Sequence, residues 1–425
     1  MEKVVMGFLG CGNIGCGVWN LLKGFKEELA HRFNVEIYVK KVLVRNVGKA
    51  RNAEVPADVL TDQVADVTDD PEITLIAEFM GGEEPATQYM IRSMEHGKTV
   101  VTANKMVVAL NWHLLQASAE KNNVGLYYEA SVCGAIPIIR TVTDSLQANR
   151  IQRMMGIVNG TTNYILTRMS QKGEKYDDVL ANAQKLGLAE PDPTSDVEGY
   201  DAAYKISILS SLAFHARIPY RYIHREGISK VSPTDIAFGK ELGYTLKLLA
   251  IAKREGNMVD ARVHPTFVPD SHPLASVSGS YNAVFLHGDS CDDMMVFGRG
   301  AGSAPTASAV VSDIIFAVTH KKPLHPTFKN TDELDSSLQV TDDWTCGFYI
   351  RLSAVEATGV LGHITACFGE NGVSIRNIIQ RDADEDGRVP IVIITHTAGE
   401  KAVRKALDSL DESLAQLITL IRVEE

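Results

Sequence analysis

The sequence predicts an α/β protein with a parallel sheet at its N-terminal end and two further units behind it. Strand-like apolar runs alternate with helical runs over residues 1–135, an order typical of a parallel sheet covered by helices. After residue 135, strand and helix signals mix with Pro- and Asp-rich loops, which predicts an α+β unit. The last 80 residues follow the order β-α-β-β-α-β, the ferredoxin-like arrangement.

Composition places the chain among ordinary globular proteins. Its 425 residues are enough for two or three domains of about 100–200 residues each. The 42 Lys and Arg against 53 Asp and Glu give a net charge of −11, which argues against a nucleic-acid partner or an anionic membrane surface. No apolar run approaches the ~18 residues of a membrane span, and no secretory signal is recognisable at the N-terminus.

The cysteine pattern indicates reduced thiols and, with them, a cytoplasmic protein. None of the six cysteines forms a CxxC pair, and their spacing is irregular. We therefore expect all of them to be free. They are Cys11, Cys16, Cys133, Cys291, Cys346 and Cys367.

The first unit, residues 1–135, is predicted to open with a strand at 4–9, followed by the loop "GCGNIG" and a helix. Further strands are predicted in "VEIYVKKVLVRN", in "ITLIAEFMGG" (73–82) and in "KTVVTANK" (98–105). An apolar helix at 303–320, after a glycine-rich turn, is expected to return to this unit and close it.

The glycine loop carries the strongest cofactor signal. Gly10, Gly12 and Gly15 form GxGxxG after a strand and at the start of a helix, the context of a Rossmann-type dinucleotide site. Glycine permits a tight turn and close backbone approach, and the helix N-terminus attracts the pyrophosphate. Asn13 and Ile14 of the same loop are assigned to the cofactor site as well.

Charges after the second strand indicate which dinucleotide is bound. The segment "VLVRNVGKAR" supplies Arg45 and Lys49 and no acidic residue, and an arginine there accommodates the 2′-phosphate of NADP. NADP is therefore favoured, with NAD also accepted. Gly81, Thr102 and Lys105, at the ends of the next two predicted strands, complete the predicted cofactor contacts.

The middle unit, residues 136–302, contains an apolar helix with a lysine inside it. From Ala202 to Phe214 the segment is apolar or small almost all the way round, which predicts burial, yet it carries Lys205. Asp201 lies one turn earlier on the same face. In an apolar pocket, desolvation favours the neutral lysine while the carboxylate opposes this shift, so the pair is suited to proton transfer.

Three further side chains are assigned to the same cleft. Lys105, at the end of "TANK", is expected at the carboxyl edge of the sheet, where open α/β sheets bind ligands. Glu190 and Asp196 lie in a loop stiffened by prolines and are suited to bind a cation such as an α-ammonium. Two other interpretations stay open, with Asp201 as a helix N-cap and the acidic pair as surface charge.

At these residues the chain resembles homoserine dehydrogenases. The family signature A-x3-G-[hydrophobic]…D-P-x2-D-[hydrophobic]-x-G-x-D-x3-K matches Ala183, Gly187, Leu188, Asp192, Pro193, Asp196, Gly199, Asp201 and Lys205. The segments "EFMGGEEPA", "TANK", "YYEASVCGAIPIIR", "GIVNGTTNYIL" and "GAGSAPTASAVVSDI" extend the resemblance to about residue 325. Behind a predicted linker at 322–345, residues 346–425 resemble an ACT domain, a regulatory module of amino-acid biosynthetic enzymes.

The resemblance implies reversible conversion of L-aspartate 4-semialdehyde and NAD(P)H into L-homoserine and NAD(P)+, in threonine, methionine and isoleucine biosynthesis. Lys205 matches the family's catalytic lysine, beside Asp201, and Lys105 matches the lysine between nicotinamide and substrate. Glu190 matches a residue that holds the substrate amino group. Which lysine moves the proton is left open, and homoserine oxidation is expected to be favoured at alkaline pH.

The resemblance also implies a substrate loop and a cation site. Gly160 and Thr161, in "NGTTN", fall in the substrate-binding loop. A monovalent cation, Na+, is expected on main-chain oxygens around Glu129, Val132 and Gly134. Gly-Ala at 134–135 departs from the usual A/G-G-[hydrophobic]-P pattern of the family at this point.

The ACT-like unit departs from its family at one turn. The usual "DKPGVL" reads "EATGVL" here, at residues 356–361, so the glycine is kept and the approach to it is altered. Binding of an amino-acid effector such as threonine, and assembly through sheet pairing, are both kept as interpretations. The expected assembly is a homodimer through the middle unit, or a homotetramer if the ACT-like units pair.

Two other functions are weighed against this one. Another semialdehyde or hydroxy-acid dehydrogenase with an ACT-like tail needs no acidic site for an α-ammonium, which Glu190 supplies. A regulator that senses NADP or an amino acid needs no pair of lysines in one cleft. The leading interpretation is therefore an NAD(P)-dependent oxidoreductase that acts on homoserine.

Overall fold

The computed structural model describes residues 2–320, 326, 328–383 and 387–424. Residues 322–325 and 327 of the predicted linker lie outside the described residues, as do Met1 and, in the predicted C-terminal unit, 384–386 and 425. In the part of the chain that is described, no helix is long and apolar enough to cross a membrane.

The N-terminal region forms a parallel sheet in the order β3-β2-β1-β4-β5-β6, which is the strand order of a Rossmann fold. Its central strands are almost wholly buried because helices cover both faces of the sheet. The predicted N-terminal fold is confirmed. Its elements are β1 Glu2–Leu9, α1 Asn13–Gly24, α2 Lys26–Phe33, β2 Val35–Leu43, β3 Leu60–Thr61, α3 Ala65–Thr68, β4 Leu75–Glu78, α4 Ala86–Glu95, β5 Thr99–Thr102, α5 Lys105–Lys121 and β6 Leu126–Tyr127.

The middle region is built on long antiparallel strands in the order β12-β11-β7-β9-β10, with helices packed against them. The mixture of strands and helices confirms the predicted α+β character. The elements are α6 Ile138–Arg140, β7 Ile151–Ile157, α7 Gly160–Lys172, α8 Tyr176–Lys185, α9 Thr194–Val197, α10 Tyr200–Ala213, β8 His224–Arg225, α11 Pro233–Glu241, β9 Tyr244–Glu255, β10 Met258–Pro269, β11 Tyr281–Gly288, β12 Asp292–Arg299 and α12 Ser303–Thr319.

Helix α10 is the apolar helix of the sequence, and it is buried on every side. All its residues from Asp201 to Ala213 are buried, as predicted. It packs against β9 and β10 on one side and against α5 of the N-terminal sheet on the other. The charged end of α10 therefore lies where the N-terminal and middle regions meet.

Helix α12 returns to the N-terminal sheet and packs along α1. Gly17 permits this contact, because a Cβ at that position would lie 2.5 Å from the Ser303 hydroxyl oxygen. The same hydroxyl donates to the main-chain oxygen of Asn13 at 2.6 Å. The returning helix thus lies directly against the glycine loop of the unit that it was predicted to close.

The C-terminal strands take the order β18-β14-β16-β15, and an apolar core fills the space between this sheet and its two helices. The ferredoxin-like prediction is confirmed. The elements are β13 Gln339–Val340, β14 Thr345–Val355, α13 Val360–Glu370, β15 Ile375–Gln380, β16 Arg388–Thr395, β17 Ala398–Gly399, α14 Glu400–Asp408 and β18 Ala415–Val423.

The C-terminal and middle sheets are continuous, which the sequence does not predict. Strand β18 pairs in parallel with β10, with Thr266 opposite Arg422 and Phe267 opposite Val423. Strand β13, from the predicted linker, also pairs with β10. The C-terminal unit is therefore joined to the middle region by main-chain hydrogen bonds as well as by side chains.

Candidate active site

The glycine loop opens onto a cleft of about 770 Å³ at the carboxyl ends of β1 and β2. Gly10 has a φ of +96°, which favours glycine, and a Cβ on Gly12 would meet no atom within 4 Å. The N-cap of α1 is Gly12, which has no side chain to cap the helix, so the first N–H groups of α1 are available to an anion. Arg45 and Lys49 line the same cleft with Asn13. These features fit a dinucleotide with a 2′-phosphate.

The other predicted cofactor residues are placed differently. Ile14 and Gly81 line a second, neighbouring cleft. Gly15 instead packs against the loop itself, because a Cβ added at Gly15 would lie 3.0 Å from the main-chain oxygen of Gly10. The side chain of Thr102 lines neither cleft, because it is buried and donates to Glu78 Oε2 at 2.5 Å. Thr102 instead supports the loop after β5, where its hydroxyl accepts from the backbone N–H of Asn104.

One acidic residue of the first cleft was missed. Asp62 follows β3 and lines the cleft together with Arg45, although the end of the second strand carries no acid. Strand β3 has two residues, which is too short for a recognisable apolar pattern. The side-chain contact of Asp62 with Gln63 Nε2, at 2.9 Å, is local and leaves the carboxylate at the cleft wall.

The second cleft, of about 800 Å³, lies between the N-terminal and middle regions. It meets the first cleft at Asn13, Phe79 and Met80. It brings together all of the predicted catalytic and substrate residues, although these come from distant parts of the chain. The predicted residues that line it are Asn13, Ile14, Gly81, Lys105, Gly134, Gly160, Thr161, Glu190, Asp196, Asp201 and Lys205.

Two lysines share one carboxylate at the floor of this cleft. Lys205 Nζ lies 2.6 Å from Asp201 Oδ2, and Lys105 Nζ lies 3.0 Å from Asp201 Oδ1. Lys205 also donates to the main-chain oxygen of Val158 at 2.6 Å. The Lys205 side chain is 10% exposed and that of Lys105 is 40% exposed. Lys205 is therefore fixed at the floor while Lys105 reaches into the open cleft.

The shared carboxylate sets the electrostatics of the site. Burial favours a raised pKa for Asp201, but the ammonium groups of Lys105 and Lys205 outweigh it and hold that pKa well below its ordinary value. Conversely, Asp201 raises the pKa of Lys105 against the opposing effect of burial, and the carboxylates of Asp196 and Glu190 add to this. At neutral pH the cleft therefore holds an ionised aspartate and a charged Lys105.

Local helix signals explain how these side chains are positioned. Gly199, with a φ of +77°, is the N-cap of α10, so Asp201 is the second residue of the helix and its interpretation as an N-cap is wrong. Lys105 is the first residue of α5 and not the end of a strand. The reason is Asn104, whose side-chain oxygen accepts from Val107 N at 3.2 Å and starts the helix.

Asn159 is a site residue that sequence reasoning missed. Its side-chain N–H groups donate to Asp196 at 2.7 Å and to Asp201 at 2.9 Å, while its Oδ1 accepts from Thr162 N. It therefore joins the two acids and caps α7 at the same time. Its place as the first residue of the quoted "NGTTN" segment, just before a predicted helix, is the N-cap signal that identifies it.

The predicted substrate residues lie around the rim of the second cleft. Glu190 is exposed there, whereas Asp196 is half-buried, and burial together with the neighbouring Asp201 raises the pKa of Asp196. Thr161 Oγ1 donates to the main-chain oxygen of Leu188 at 2.7 Å and ties α7 to the loop that carries Glu190. The acidic rim faces the cationic floor across the cleft.

The predicted cation segment is partly at this cleft. Both oxygens of the Glu129 carboxylate accept from backbone N–H groups, those of Ile139 and Arg140, and only Gly134 of the three predicted residues lines the cleft. Gly134 has a φ of +53°, and a Cβ there would lie 2.6 Å from Gly300 O. Over the described residues, no group of three His, Cys, Asp or Glu side chains is placed to hold a metal. A cation at this segment would therefore have to be held by main-chain oxygens and not by such a group of side chains.

The cysteines do not take part in a disulfide. All six are free, as predicted. Cys11 lies within the glycine loop and Cys16 follows it directly, with their sulfur atoms 3.7 Å apart. Burial, together with the neighbouring Cys16, raises the pKa of Cys11 to about 12. The thiol of Cys11 is thus held in its unreactive, protonated form beside the cofactor cleft.

Comparison with known protein families matches almost the whole chain. The family model described as "Homoserine dehydrogenase, NAD binding domain" matches residues 10–129, and the one described as "Homoserine dehydrogenase" matches residues 137–315. The ACT domain model matches residues 348–412. The two catalytic models together cover the glycine loop, both lysines and Asp201.

Relatives and solved structures agree with these models. Homoserine dehydrogenase of Bacillus subtilis is 40% identical over 429 residues, covering 100% of this chain and 99% of the relative. The crystal structure of a homoserine dehydrogenase from Thiobacillus denitrificans superposes with a TM-score of 0.91 at 38% identity, covering 100% and 99% of the two chains.

A hyperthermophilic archaeal homoserine dehydrogenase in complex with NADPH superposes with a TM-score of 0.64 at 25% identity, over 76% of this chain and 100% of the other. These comparisons agree with the fold described above. The chain belongs to the homoserine dehydrogenase family: it is an oxidoreductase acting on a CH–OH group, with an NAD(P)-binding domain and a C-terminal ACT domain.

Proposed function

We propose that the second cleft interconverts L-homoserine and L-aspartate 4-semialdehyde reversibly, with NADP as the preferred cofactor and NAD accepted as well. The observation that carries the proposal is the arrangement of Lys105 and Lys205 on the two oxygens of Asp201. A carbonyl that receives a hydride becomes an oxyanion, and cations fixed beforehand stabilise that charge. The proposed setting is threonine, methionine and isoleucine biosynthesis in the cytoplasm.

The protein positions the reactants and moves the proton. Bound nicotinamide supplies the hydride for reduction of the aldehyde and takes it back in the reverse direction. In reduction, one lysine of the pair donates a proton to the carbonyl oxygen while the other keeps its charge beside it. In oxidation, a neutral lysine accepts the hydroxyl proton of homoserine as the hydride leaves the same carbon.

Asp201 keeps the two lysines in place and sets the pH range of the reaction. Its carboxylate raises the pKa of Lys105, so this lysine stays charged at pH values above the ordinary pKa of a lysine. Reduction, which needs a charged lysine, is therefore favoured at neutral pH, and homoserine oxidation is favoured at alkaline pH.

The rim and the first cleft are proposed to select substrate and cofactor. Glu190 and Asp196 hold the α-ammonium of the substrate, since they are the acids that face the cleft near Lys105. Gly160 and Thr161 shape the adjoining loop. Arg45 and Lys49 hold the 2′-phosphate of NADP. The archaeal relative in complex with NADPH supports this choice of cofactor.

A monovalent cation, Na+, is proposed at the segment of Glu129, Val132 and Gly134. The support is the resemblance of this segment to the cation segment of the family, and in the structure Gly134 packs closely against the main chain of Arg299 and Gly300. A cation there would hold the segment 129–134 against the start of α12. No step of the reaction requires the cation.

The assembly is proposed to be a homodimer, or a homotetramer if the ACT domains pair. Exposed apolar side chains on two strands support association, namely Met295 and Phe297 on β12 and Leu417 and Ile418 on β18. Binding of an amino-acid effector such as threonine at residues 356–361 stays a prediction. There Gly359 keeps the tight turn, with a φ of +90°. Analytical ultracentrifugation with and without threonine tests both statements.

The experiment that tests the function is turnover of L-aspartate 4-semialdehyde with NADPH, followed by loss of nicotinamide absorbance. We expect turnover with NADPH, slower turnover with NADH at equal concentration, and the reverse reaction with L-homoserine at alkaline pH. Absence of turnover with either cofactor over pH 6 to 10 contradicts the proposal.

A further inference from the structure

A buried arginine of the ACT domain reaches across to the middle region. Arg422, on β18, is fully buried and donates from Nη1 to Glu226 Oε2 at 2.6 Å. Its other N–H groups bind Glu400 of the ACT domain at 2.7 Å and 3.1 Å. The other carboxylate oxygen of Glu226, Oε1, lies within hydrogen-bond distance of His224 Nε2, at 2.9 Å. The arginine thus joins one carboxylate from each region.

Glu226 belongs to a short segment, residues 224–228, which consists of strand β8 and the three residues after it. The backbone N–H of Glu226 donates to Val263 O on β10 at 2.8 Å, which fixes the segment to the middle sheet. Burial favours a raised pKa for Glu226, but the hydrogen bonds from His224 and Arg422, with the nearby His264, keep it well below its ordinary value. The carboxylate is therefore ionised opposite Arg422.

The same segment supports the end of α10 that carries the catalytic charges. Arg225 donates to the main-chain oxygen of Glu198, and its guanidinium lies 3.5 Å from the ring centroid of Tyr200. Ile228 N donates to Val197 O at 2.8 Å. The residues that lead into α10 are thus held by segment 224–228 through two hydrogen bonds and one cation–π contact.

The contact is close at the N-cap itself. A Cβ on Gly199 would lie 3.3 Å from Arg225 Cγ and 3.5 Å from Glu226 O. Gly199 is two residues before Asp201 and six before Lys205. A shift of segment 224–228 therefore moves the first turn of α10 directly, and with it the carboxylate that both lysines share.

We infer that Arg422 and Glu226 are positioning residues for the Asp201–Lys205 pair, and that they make the ACT domain a structural part of the active site. The inference rests on the function proposed above. Arg422 is buried whereas Glu226 is half-buried, and an ion pair with a buried partner contributes little net stability compared with apolar packing, so it is a costly way of merely joining two units. The ion pair does fix the orientation of Glu226, since Arg422 is held by Glu400 on one side and binds the Glu226 carboxylate on the other.

A second ion pair between the same two regions, whose carboxylate is fully buried, provides a control. Arg351 on β14 donates to Asp235 on α11 at 2.6 Å and 3.0 Å, and Tyr349 and Thr419 donate to the same carboxylate. Like Glu226, Asp235 joins an ACT-domain arginine to the middle region. Unlike Glu226, it lies on α11, outside the segment that supports α10.

The experiment compares Glu226→Gln and Arg422→Lys with Asp235→Asn and Arg351→Lys in the full-length protein. For the first two variants we expect kcat to fall about tenfold to a hundredfold, as for a misplaced catalytic group, with the Kd for NADP unchanged. We also expect the rising limb of the pH profile of homoserine oxidation to move to lower pH, because Asp201 then pairs less closely with Lys105. The two controls should lower Tm comparably and leave kcat within about twofold.

Wild-type turnover, measured first, decides the proposed function independently of these variants. The inference is overturned if all four variants lose kcat in proportion to their loss of Tm, or if the pH profile of Glu226→Gln matches that of the wild type. Arg225→Lys, in the same half-buried segment as Glu226, replaces the Glu226 and Arg422 variants should they not fold. It should lower kcat because it removes the contacts with Glu198 and Tyr200, and an unchanged kcat in that variant also contradicts the inference.

Discussion

The two clefts of this protein hold their charges in opposite ways. The cofactor cleft combines glycine backbone with exposed Arg45 and Lys49, whereas the catalytic cleft places Asp201 and Lys205 in a buried helix. Exposed charges are screened by solvent and act separately, but buried charges depend on each other, because removing one leaves another unpaired. Substitutions in the catalytic cleft should therefore change activity strongly, and their effects should depend on one another. Substitutions in the cofactor cleft should have smaller, independent effects on cofactor binding.

The largest effect is expected from Lys205→Ala. It removes one of the two cations at the cleft floor, and we expect kcat to fall by about 10³-fold while the Kd for NADP stays the same. Lys247→Ala is the matched control, since Lys247 is also buried, on β9, and burial lowers its pKa to about 8. Steady-state kinetics and cofactor titration measure both. Near wild-type activity in Lys205→Ala would remove this lysine from the mechanism.

Glu190→Gln should have an intermediate effect, confined to substrate binding. Losing the charged partner of the α-ammonium is expected to raise KM for homoserine about tenfold to a hundredfold with kcat changed less. An alcohol of the same length as homoserine that lacks the amino group serves as the control. Its KM should be the same in the wild type and in Glu190→Gln, because it has no ammonium for Glu190 to bind. A KM that is equal in wild type and variant would place the ammonium site elsewhere.

The smallest effect is expected from Arg45→Ala in the open cleft. We expect the Kd for NADP to rise about tenfold, with the Kd for NAD unchanged, since only NADP carries the 2′-phosphate. The difference should shrink as salt is added, because the arginine is exposed. Equal losses for both dinucleotides would show that Arg45 acts on the shape of the loop and not on the phosphate.

The two clefts also differ in how far the sequence predicts them. The glycine loop is local, so spacing alone locates Gly10 and Gly12, and helix periodicity alone predicts that α10 is buried around Lys205. The contact of Lys105 with Asp201 joins residues 96 positions apart, and the sequence indicates it only through resemblance to a family.

Other features depend on the tertiary structure and carry little sequence signal. Pairing of β10 with β18 joins the middle sheet to the ACT domain through four residues. Nothing in the sequence of either strand distinguishes this continuous sheet from two separate domains. Asn159 shows an N-cap pattern, but its bonds to Asp196 and Asp201 arise only when the start of α7 meets α9 and α10. Thr102 ends a predicted strand at the correct sheet edge, yet its hydroxyl turns inward to Glu78.

The central claim is that one carboxylate governs both lysines, and the pH profile of homoserine oxidation in Asp201→Asn tests it most directly. In the wild type the carboxylate raises the pKa of Lys105, so the rate should keep rising with pH beyond the ordinary range of a lysine. In the variant the plateau rate should fall and the rising limb should move to lower pH, because a lysine without its carboxylate loses its proton more easily. A rising limb at the same pH in both proteins would contradict the account.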